Sequence, residues 1–300
     1  MIDLARAQAF NKANVSQSPR DWPKDPGSAD FARVVARFQD AHGLVADGLC
    51  GKATKAKISE QLSAARPEHY LIANGKRFEV PFKVVTWEQD PWWNAHPAEN
   101  FRWRQGPIEL FILHWDVVFS SRQCHQGLIR PERNASVHLY LDGDQDATVY
   151  QSLDLGFVRA WHAGSNGNVN ERSVGCEGNN RYYVADQLAS APRPVIADLP
   201  VQGNPKRQHL DWLPQQKTRW VQLAGAVTQI LGIPRQLPKT PAWRSFWPGD
   251  DKDPEGSVVR GMLDDRGLRE FKGVAGHYHY EEMKIDPGTE IWEHFVKGGW

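Results

Sequence analysis

The sequence predicts an α/β protein with a mixed central β-sheet flanked by helices, preceded by a small three-helix domain. Residues 110–113 are a continuous apolar run of the kind that forms a buried central strand. Residues 136–143 alternate in polarity and then turn, and residues 148–151 return as a hairpin partner. Residues 220–231 carry apolar side chains at helical spacing, and Gly232 ends that helix. Strands followed by a long helix indicate a sheet with helices packed against it.

Length and composition exclude several classes of protein. The chain has 300 residues, enough for one large domain or two unequal ones, and 40% of them are hydrophobic. Lysine and arginine total 36, as do aspartate and glutamate, so no overall field favours nucleic acid or an anionic membrane as a partner. Three scattered cysteines, Cys50, Cys124 and Cys176, are too few for a disulfide framework or a cysteine-based zinc site. The first residues form no apolar leader and no apolar run reaches 18 residues, so we expect neither an export signal nor a membrane span.

The N-terminal part of the chain is predicted to form three helices. One helix is expected at about residues 2–14, and Ser28 or Asp30 can cap a second. In the second helix, apolar side chains recur at i, i+3, i+4 and i+7, namely Phe31, Val34, Val35 and Phe38. Gly43 can end that helix in the left-handed conformation, and a third helix is expected at about residues 52–62.

This part of the chain also resembles a known domain. Phe38-Gln39 near the end of the second helix is followed by residues 43–54, which contain three turn glycines. The combination resembles the peptidoglycan-binding domain of the three-helix type over about residues 1–65, with Cys50 in the turn as the main departure. A generic three-helix bundle is the alternative, but it would not require the Phe-Gln pair and the spaced glycines together.

Residues 66–105 are predicted to be a linker with a hairpin that packs on the next domain. Asn74-Gly75 lies between apolar-rich runs within residues 70–85, which is a strong hairpin signal. Residues 87–103 are rich in tryptophan and contain two prolines. These tryptophans could line a groove for a glycan, but the interpretation we prefer is that they cover the core.

Residues 276–288 combine two histidines, three carboxylates and a lysine, a density typical of a metal site. His277 and Asp286 offer the nitrogen and oxygen donors that suit zinc with an open coordination position. A third donor must come from elsewhere, and the best candidate is His114, which follows the buried strand at the rim of the sheet. His279 competes with His277 for its position. A hydrogen-bonded structural role is the alternative for each histidine.

A further candidate site residue follows from the alternation of side chains along residues 173–177. In a strand, Cys176 shares one face with Val174, while Glu177 shares the other face with Gly175. Glu177 can therefore face a site while Cys176 faces the core. The alternative for Glu177 is a solvated carboxylate at the end of a strand.

Six short motifs follow one another along the rest of the chain: His114-Trp115, Ser136-Val137-His138, Trp161-His162-Ala163-Gly164, Ser173-Val174-Gly175-Cys176-Glu177, Gly276-His277 and Lys284-Ile285-Asp286-Pro287-Gly288. In this order they resemble the zinc-dependent N-acetylmuramoyl-L-alanine amidases of the type 2 family, whose fold the peptidoglycan-recognition proteins share. The resemblance covers about residues 106–300, which we take as the catalytic domain. It implies one zinc ion and cleavage of the amide between N-acetylmuramic acid and the L-alanine of the stem peptide.

The resemblance also implies roles for individual residues. The ligand positions of the family fall on three residues, His114, His277 and Asp286. Glu177 falls on the glutamate used as a base and Lys284 on the lysine beside the scissile carbonyl. His277 is preferred to His279 because a glycine precedes it and because its spacing to Lys284 is the more typical.

Other expectations concern the substrate groove. Substrate contacts are expected from four residues in or beside the motifs, His138, Trp161, His162 and Asn170. The segments 183–213 and 235–270 are longer than a minimal family member needs, and the second could reshape the groove. The alternative for Lys284 is a surface lysine without a role in the site.

The predicted protein is a peptidoglycan hydrolase, either a phage endolysin or a bacterial lytic amidase, that acts on the cell wall as a monomer. An endolysin would pass from the host cytoplasm to the periplasm. A non-catalytic peptidoglycan-recognition protein is one alternative, but such a protein is expected to have lost a metal ligand. A cytoplasmic amidase that recycles muropeptides is another, but a small diffusible substrate needs no wall-binding domain, whereas binding to a polymer gains from a second contact.

Overall fold

A computed structural model of the chain describes residues 2–19, 21–189, 192–197, 201, 208–247 and 253–300. Its helices are α1 (Leu4–Asn14), α2 (Ala29–Ala41), α3 (Lys52–Ser63), α4 (Ser121–Leu128), α5 (Val169–Arg172), α6 (Pro214–Leu231), α7 (Asp265–Glu270) and α8 (Ile291–Lys297). Its strands are β1 (Tyr70–Ala73), β2 (Lys76–Glu79), β3 (Val84–Thr86), β4 (Phe101–Trp103), β5 (Leu110–Asp116), β6 (Leu139–Leu141), β7 (Val149–Gln151), β8 (Val158–Ala160), β9 (Ser173–Asn179), β10 (Val195–Ala197), β11 (Gln208–Leu210) and β12 (Gly273–Gly276). Within the described residues, no helix is both long and apolar enough to cross a membrane.

The three N-terminal helices form as the sequence predicts. Ser28 caps α2, because its side chain accepts a hydrogen bond from the backbone N–H of Phe31 at 3.1 Å. Gln39 contacts the turn that follows, since its buried amide donates to Asp47 Oδ1 at 2.9 Å and accepts from the Gly48 N–H at 2.8 Å. The side chain of Gln39 therefore holds the loop between α2 and α3 in place.

A mixed sheet lies at the centre of the rest of the chain, as the sequence predicts. Its strand order is β12-β5-β9-β6-β7-β3, in which β12, β5, β9 and β6 are parallel and β7 runs antiparallel to β6. Residues 110–113 of β5 are fully buried because the strand lies between β12 and β9 and is covered on both faces. On one face, α6 contributes Trp220, Leu223 and Val227 to the main hydrophobic core. The sheet therefore brings the carboxyl ends of several parallel strands to one edge.

Residues 66–105 do more than link two domains. Asn74 and Gly75 form the predicted hairpin turn between β1 and β2, with φ values of 52° and 70°. However, β3 pairs in parallel with β7 as the outer strand of the central sheet, and β4 pairs with β8 in a separate two-stranded ribbon. The linker prediction missed these pairings because three-residue strands carry little local signal and their partners lie far along the chain.

The two long segments noted in the sequence lie beside the sheet. In the first, β10 and β11 pair as an antiparallel ribbon. In the second, Val259, Met262 and Leu263 join a second hydrophobic cluster with Leu110 and Ile112 of β5. Residues 190–191, 198–200, 202–207 and 248–252 of these segments lie outside the described residues.

The helical N-terminal part packs directly on the part of the chain that contains the central sheet. Trp22 contacts Phe31 and Phe38 on one side and Phe157 on the other, with ring centroids 5.7 Å apart in the last pair. A side chain at Gly75 would lie 3.0 Å from the Phe38 ring, so the hairpin turn needs a glycine there for contact as well as for its positive φ. One hydrophobic cluster is thus shared by the two parts.

Candidate metal centre and active site

Strand register places three of the predicted site residues in one row. His114 of β5 is the Cα partner of Glu177 in β9, so the two side chains leave the same face of the sheet. Gly276, the last residue of β12, pairs with Leu113, and His277 therefore follows at the level of His114. The carboxyl ends of parallel strands are the usual place for a site in an α/β sheet.

His114, His277 and Asp286 bring three donor atoms together. The Nδ1 atoms of the two histidines are 3.0 Å apart, and Asp286 Oδ2 is 3.0 Å from His277 Nδ1 and 3.3 Å from His114 Nδ1. All three residues are buried. Donors held tetrahedrally by one zinc ion at about 2.0–2.1 Å are about 3.3 Å from each other, so the triangle fits that ion. Two imidazoles and one carboxylate with a fourth position open are a catalytic donor set.

Each of these histidines also contacts a second side chain through its other ring nitrogen. His277 Nε2 lies 2.6 Å from Glu281 Oε2, and His114 Nε2 lies 2.9 Å from His162 Nδ1. His162 in turn contacts Ser173 Oγ through Nε2 at 3.0 Å. A metal on Nδ1 leaves the proton on Nε2, so both ligands would donate outward, which fixes their tautomers and ring orientations.

The charges of the three residues are strongly coupled. Burial lowers the pKa of His114 to about 4. Burial also opposes the charged form of His277, but Asp286 outweighs it and raises the pKa of His277 to about 9. Burial likewise opposes ionisation of Asp286, yet His277 and the hydrogen bonds from both histidines hold the pKa of that carboxyl well below its usual range. A metal would therefore meet an ionised carboxylate and displace one proton, from His277.

Local packing explains how Asp286 reaches the triangle. The chain leaves β12 in a short 3-10 turn, and the Asp286 carbonyl accepts a hydrogen bond from the Tyr278 N–H at 3.3 Å. A side chain at Gly276 would lie only 2.6 Å from the Pro287 ring, so the glycine before His277 lets this loop fold back on the strand. Within the loop, Met283 has a φ of 70°, a conformation that residues other than glycine seldom adopt.

Glu177 and Lys284 border two cavities beside the triangle. One cavity of about 510 Å³ is lined by His277, Glu281 and Lys284, and another of about 640 Å³ by Glu177 and again Lys284. Burial raises the pKa of Glu177 to about 8, and the charges of Asp116 and Asp286 add to the rise. A carboxyl group and an ammonium group thus lie where a substrate bound across both cavities would pass.

Three of the four expected substrate contacts line the first cavity. They are Trp161, His162 and Asn170. Trp161 is half-buried, and the Arg159 guanidinium lies 4.2 Å from the centre of its ring, so the ring forms part of the cavity wall. Asn170 has a structural role as well, because its Oδ1 accepts hydrogen bonds from the N–H groups of His162 and Ala163, both at 3.0 Å.

His138 does not contact the cavity, contrary to the expectation from the sequence. It is fully buried, with Nδ1 accepting from the Gly175 N–H at 3.2 Å and Nε2 at 3.0 Å from the Val158 carbonyl. Both ring nitrogens are therefore used to join β8 and β9 beneath the site. Its place in the motif reflects this packing role.

His279 is also turned away from the triangle. Its Nδ1 accepts from the Gly276 N–H at 2.9 Å, and its Nε2 donates to the Val259 carbonyl at 2.7 Å. Both nitrogens are satisfied by backbone groups, so the structure places His277 and not His279 among the donors. Gly175 leaves room for the His162 ring, because a side chain at that position would lie 2.5 Å from the ring.

The contact of Glu281 with His277 does not follow from the sequence patterns, in which Glu281 is only one of the three carboxylates of residues 276–288. Its spacing of four residues from His277 was the available signal, because a helical turn after β12 brings residues i and i+4 together. The contact of His162 with His114 had no local signal, since 48 residues separate them.

Comparison with known proteins gives several matches to solved structures. AmpDh3 from Pseudomonas aeruginosa is 19% identical, with 64% of this chain and 59% of that chain covered and a TM-score of 0.38. Staphylococcus aureus hydrolase AmiA in complex with its ligand is 12% identical, with 72% and 78% covered and a TM-score of 0.40. E. coli AmiD in complex with the substrate anhydro-N-acetylmuramic acid-L-Ala-D-gamma-Glu-L-Lys is 15% identical, with 78% and 66% covered and a TM-score of 0.37. The chain thus spans 59% of the length of the AmpDh3 chain.

A family model gives the decisive match. No curated protein sequence matches the chain. The model of the N-acetylmuramoyl-L-alanine amidase family matches residues 104–289, which is more than half of the chain and includes every residue of the donor triangle together with Glu177 and Lys284. The chain belongs to the N-acetylmuramoyl-L-alanine amidase family.

Proposed function

We propose that the protein is a zinc-dependent amidase that hydrolyses the bond between N-acetylmuramic acid and the L-alanine of the stem peptide in bacterial peptidoglycan. The observation that carries the proposal is the triangle of His114, His277 and Asp286 donors, with sides of 3.0–3.3 Å, in a chain of this family. When bound there, zinc would polarise the amide carbonyl and make an attacking water more acidic.

Glu177 would act as the general base. Its side chain leaves the same face of the sheet as His114, and this shared face supports a role for the carboxylate beside the reacting water. It would take one proton from that water and give it to the leaving amine nitrogen of L-alanine, so that the amide bond breaks without releasing a strongly basic amide anion. With a pKa of about 8, Glu177 can hold or lose a proton within about one pH unit of neutrality, which suits a group that must both accept and return the proton.

Lys284 would stabilise the charge that develops on the substrate. It lines both cavities beside the triangle, so its ammonium group can lie near the scissile carbonyl oxygen whichever cavity holds the peptide. Negative charge grows on that oxygen as the water attacks, and a fixed positive group in a partly buried site favours the charged transition state.

The place of action in our proposal is the cell wall, as for an endolysin or a bacterial lytic amidase. Residues 1–65 resemble a peptidoglycan-binding domain, and a polymeric substrate can be held by two contacts at once. A non-catalytic recognition protein is less well supported, because all three donors and Glu177 are present together. We also propose that the chain works as a monomer with one zinc ion.

Digestion of purified sacculi tests the proposal. The zinc-loaded protein should release stem peptides with a free N-terminal L-alanine and leave intact muramic acid residues, both identified by mass spectrometry. His114→Ala should lose zinc and activity together, because only two donors remain. His279→Ala is the matched control, since both nitrogens of that ring bind backbone groups, and it should keep stoichiometric zinc.

Two results would contradict the assignment. New reducing ends in place of free L-alanine would indicate cleavage of the glycan, which the site does not explain. Stoichiometric zinc with full activity in His114→Ala would move the metal centre elsewhere.

A further inference from the structure

A third cavity, of about 570 Å³, lies between the N-terminal helical part and the catalytic part. Residues 21–24 from the N-terminal part form one wall, and Phe101 and Trp103 of β4 with residues 152–154 form the other. Its volume falls in the range of roughly 300–1,000 Å³ that ligand sites occupy. None of the residues assigned to the chemistry of the metal centre lines this cavity.

The cavity adjoins the one beside the candidate metal centre, because the two share a lining residue. Arg102, between Phe101 and Trp103, lines both this cavity and the one that contains His277 and Glu281. Its guanidinium donates to the carbonyls of Ala98, Glu99 and Phe101, so it is held at the boundary between the two. A substrate that extends from the metal centre past Arg102 would reach this third cavity.

The lining combines aromatic rings with groups that form hydrogen bonds. Phe101 and Trp103 are half-buried, with ring centroids 5.7 Å apart at 89°, so part of each ring is open to a ligand. Asn94 and His96 add polar atoms. His96 Nε2 lies 3.2 Å from Ser152 Oγ, while its buried Nδ1 has no hydrogen-bond partner among the described residues. Rings that cover apolar C–H faces, next to amide and imidazole groups that bind hydroxyls, suit a sugar chain.

The charge of the lining suits a neutral ligand. Lys24 and Arg102 are balanced by Asp21 and Asp154. The Asp154 carboxylate already accepts four backbone N–H groups and offers little to a ligand.

We propose that this third cavity, which we call the interdomain cleft, binds the glycan strand that continues from the muramic acid residue at the metal centre. Its ligand is a β-1,4-linked oligosaccharide of N-acetylhexosamines, in contact with Phe101 and Trp103. This inference rests on the proposed function, because it identifies how the same substrate is held at a distance from the scissile bond. The N-terminal part would thus act on the substrate by completing a binding cleft, as well as by tethering the protein to the wall.

Titration with chitohexaose, a β-1,4-linked hexamer of N-acetylglucosamine without a lactyl amide, tests the cleft directly. Trp103→Ala removes a stacking ring, and Ala98→Arg adds bulk at an exposed position that lines the cleft. Trp103→Ala should weaken chitohexaose binding by roughly tenfold, the effect of one lost aromatic contact, and Ala98→Arg should weaken it because the larger side chain takes up space in the cleft. Phe246→Ala, which removes an exposed ring elsewhere, is the matched control and should bind like the parent.

The same variants should also change the preference among substrates. The ratio of kcat/KM on sacculi to kcat/KM on a small muropeptide should fall in Trp103→Ala and Ala98→Arg, and should not change in Phe246→Ala. Trp103 packs on the shared hydrophobic cluster, so thermal midpoints must be compared, and Ala98→Arg leaves that packing intact.

The outcomes separate this inference from the proposed function. If the parent protein hydrolyses the small muropeptide but does not bind chitohexaose, or if both cleft variants bind it like the parent, the cleft is not a glycan site and the amidase proposal stands. If the parent hydrolyses neither substrate while zinc is bound, the amidase proposal is wrong, whatever the result of the chitohexaose titration. Binding that is lost in both cleft variants and kept in the control supports the inference.

Discussion

At the scale of single residues, the candidate metal centre depends on the side chains that contact the other ring nitrogens of its two histidines. Glu281 Oε2 lies 2.6 Å from His277 Nε2, and a carboxylate in this position orients the ring and makes it a stronger donor. His114 has a neutral partner instead, His162. The two ligands are thus supported by different chemistry, and a change at Glu281 acts on only one of them.

We expect Glu281→Ala to weaken zinc binding by roughly 10–100-fold, the usual effect of removing such a carboxylate. Competition with a chromophoric chelator measures the affinity without reference to activity. Glu282→Ala is the control, because the neighbouring side chain is exposed. Equal affinities in the two variants would show that the contact with His277 has no effect on the metal.

Zinc binding should also depend on pH in a defined way. Because Asp286 raises the pKa of His277 to about 9, that ring carries a proton below this pH, and zinc must displace it. His114, with its pKa lowered to about 4, and the ionised Asp286 release no proton at neutral pH. The apparent affinity should therefore fall about tenfold for each unit that the pH falls between about 8 and 6. A slope of two protons per zinc would mean that a second group is protonated.

Glu177→Gln should separate chemistry from binding. The amide keeps the shape of the side chain but cannot take a proton from water, so turnover should fall by on the order of 10²–10⁴-fold. Zinc stoichiometry and the thermal midpoint should stay close to those of the parent. If the midpoint and zinc content fell together with activity, Glu177 would be a structural residue. A folded, zinc-loaded variant with the parental rate would mean that another group is the base, and the cavity position of His162 would make it the next candidate.

At the scale of elements, the sequence predicts what local patterns determine. The apolar run before His114 gives a buried strand, and the alternation of Cys176 and Glu177 gives the two faces of β9, with Cys176 in the main core. The Asn74-Gly75 turn is equally local. These predictions hold because strand periodicity and turn conformation depend on a few adjacent residues.

Other features depend on partners that no local pattern specifies. The sequence predicts a substrate contact for His138, but residues 137–141 around the start of β6 are all buried, so the local pattern gives no sign of which side faces the site. The pairings of β3 with β7 and of β4 with β8 join segments more than fifty residues apart in sequence. The position of β4 in the wall of the interdomain cleft could therefore not be predicted, although the aromatic residues of this segment are evident in the sequence.

One side chain holds several of these elements together. Asp154 accepts hydrogen bonds from the N–H groups of Asn74 and Gly75 in the β1–β2 turn, both at 2.9 Å, and from Gly156 and Phe157 at 2.8 and 2.7 Å. It is buried, so removing it leaves these donors without an acceptor. Asp154 therefore ties the hairpin to the segment that leads into β8.

Asp154→Ala should lower the free energy of unfolding by about 2–4 kcal/mol, because several buried donors lose their partner at once. Urea denaturation followed by tryptophan fluorescence measures the change. Asp146→Ala is the control, because that carboxylate forms an exposed ion pair with Lys83 and should contribute little. Equal midpoints for the two variants would show that the donors find water or other acceptors.

At the scale of the whole molecule, the two parts of the chain are joined by side chains as well as by residues 66–105. Arg37 donates to the Gly106 carbonyl at 2.8 Å, and Arg77 donates to the Gln61 carbonyl at 2.6 Å. Leu153 and Phe157 are 5% and 0% exposed in a cluster shared with α2. The N-terminal part is thus both a candidate binding domain and a cover for apolar surface of the catalytic part.

These contacts make the removal of residues 1–65 the most informative change to the chain. The truncated protein keeps the donor triangle, Glu177 and Lys284, so we expect it to hydrolyse a small soluble muropeptide at a rate within a few fold of the parent. It loses residues 21–24 from the interdomain cleft and exposes Phe157, so its affinity for sacculi and its thermal midpoint should both fall.

Circular dichroism and zinc content must first establish that the truncated chain is folded, and a truncated Phe157→Ser variant lowers the risk that the exposed ring causes aggregation. Rates on the small muropeptide and on sacculi are then compared with those of the full chain. A folded, zinc-loaded truncation that hydrolyses neither substrate would show that residues 1–65 are an integral part of the catalytic unit. Activity kept on the muropeptide and reduced on sacculi would show that they serve the polymer alone, since only the long substrate reaches beyond Arg102.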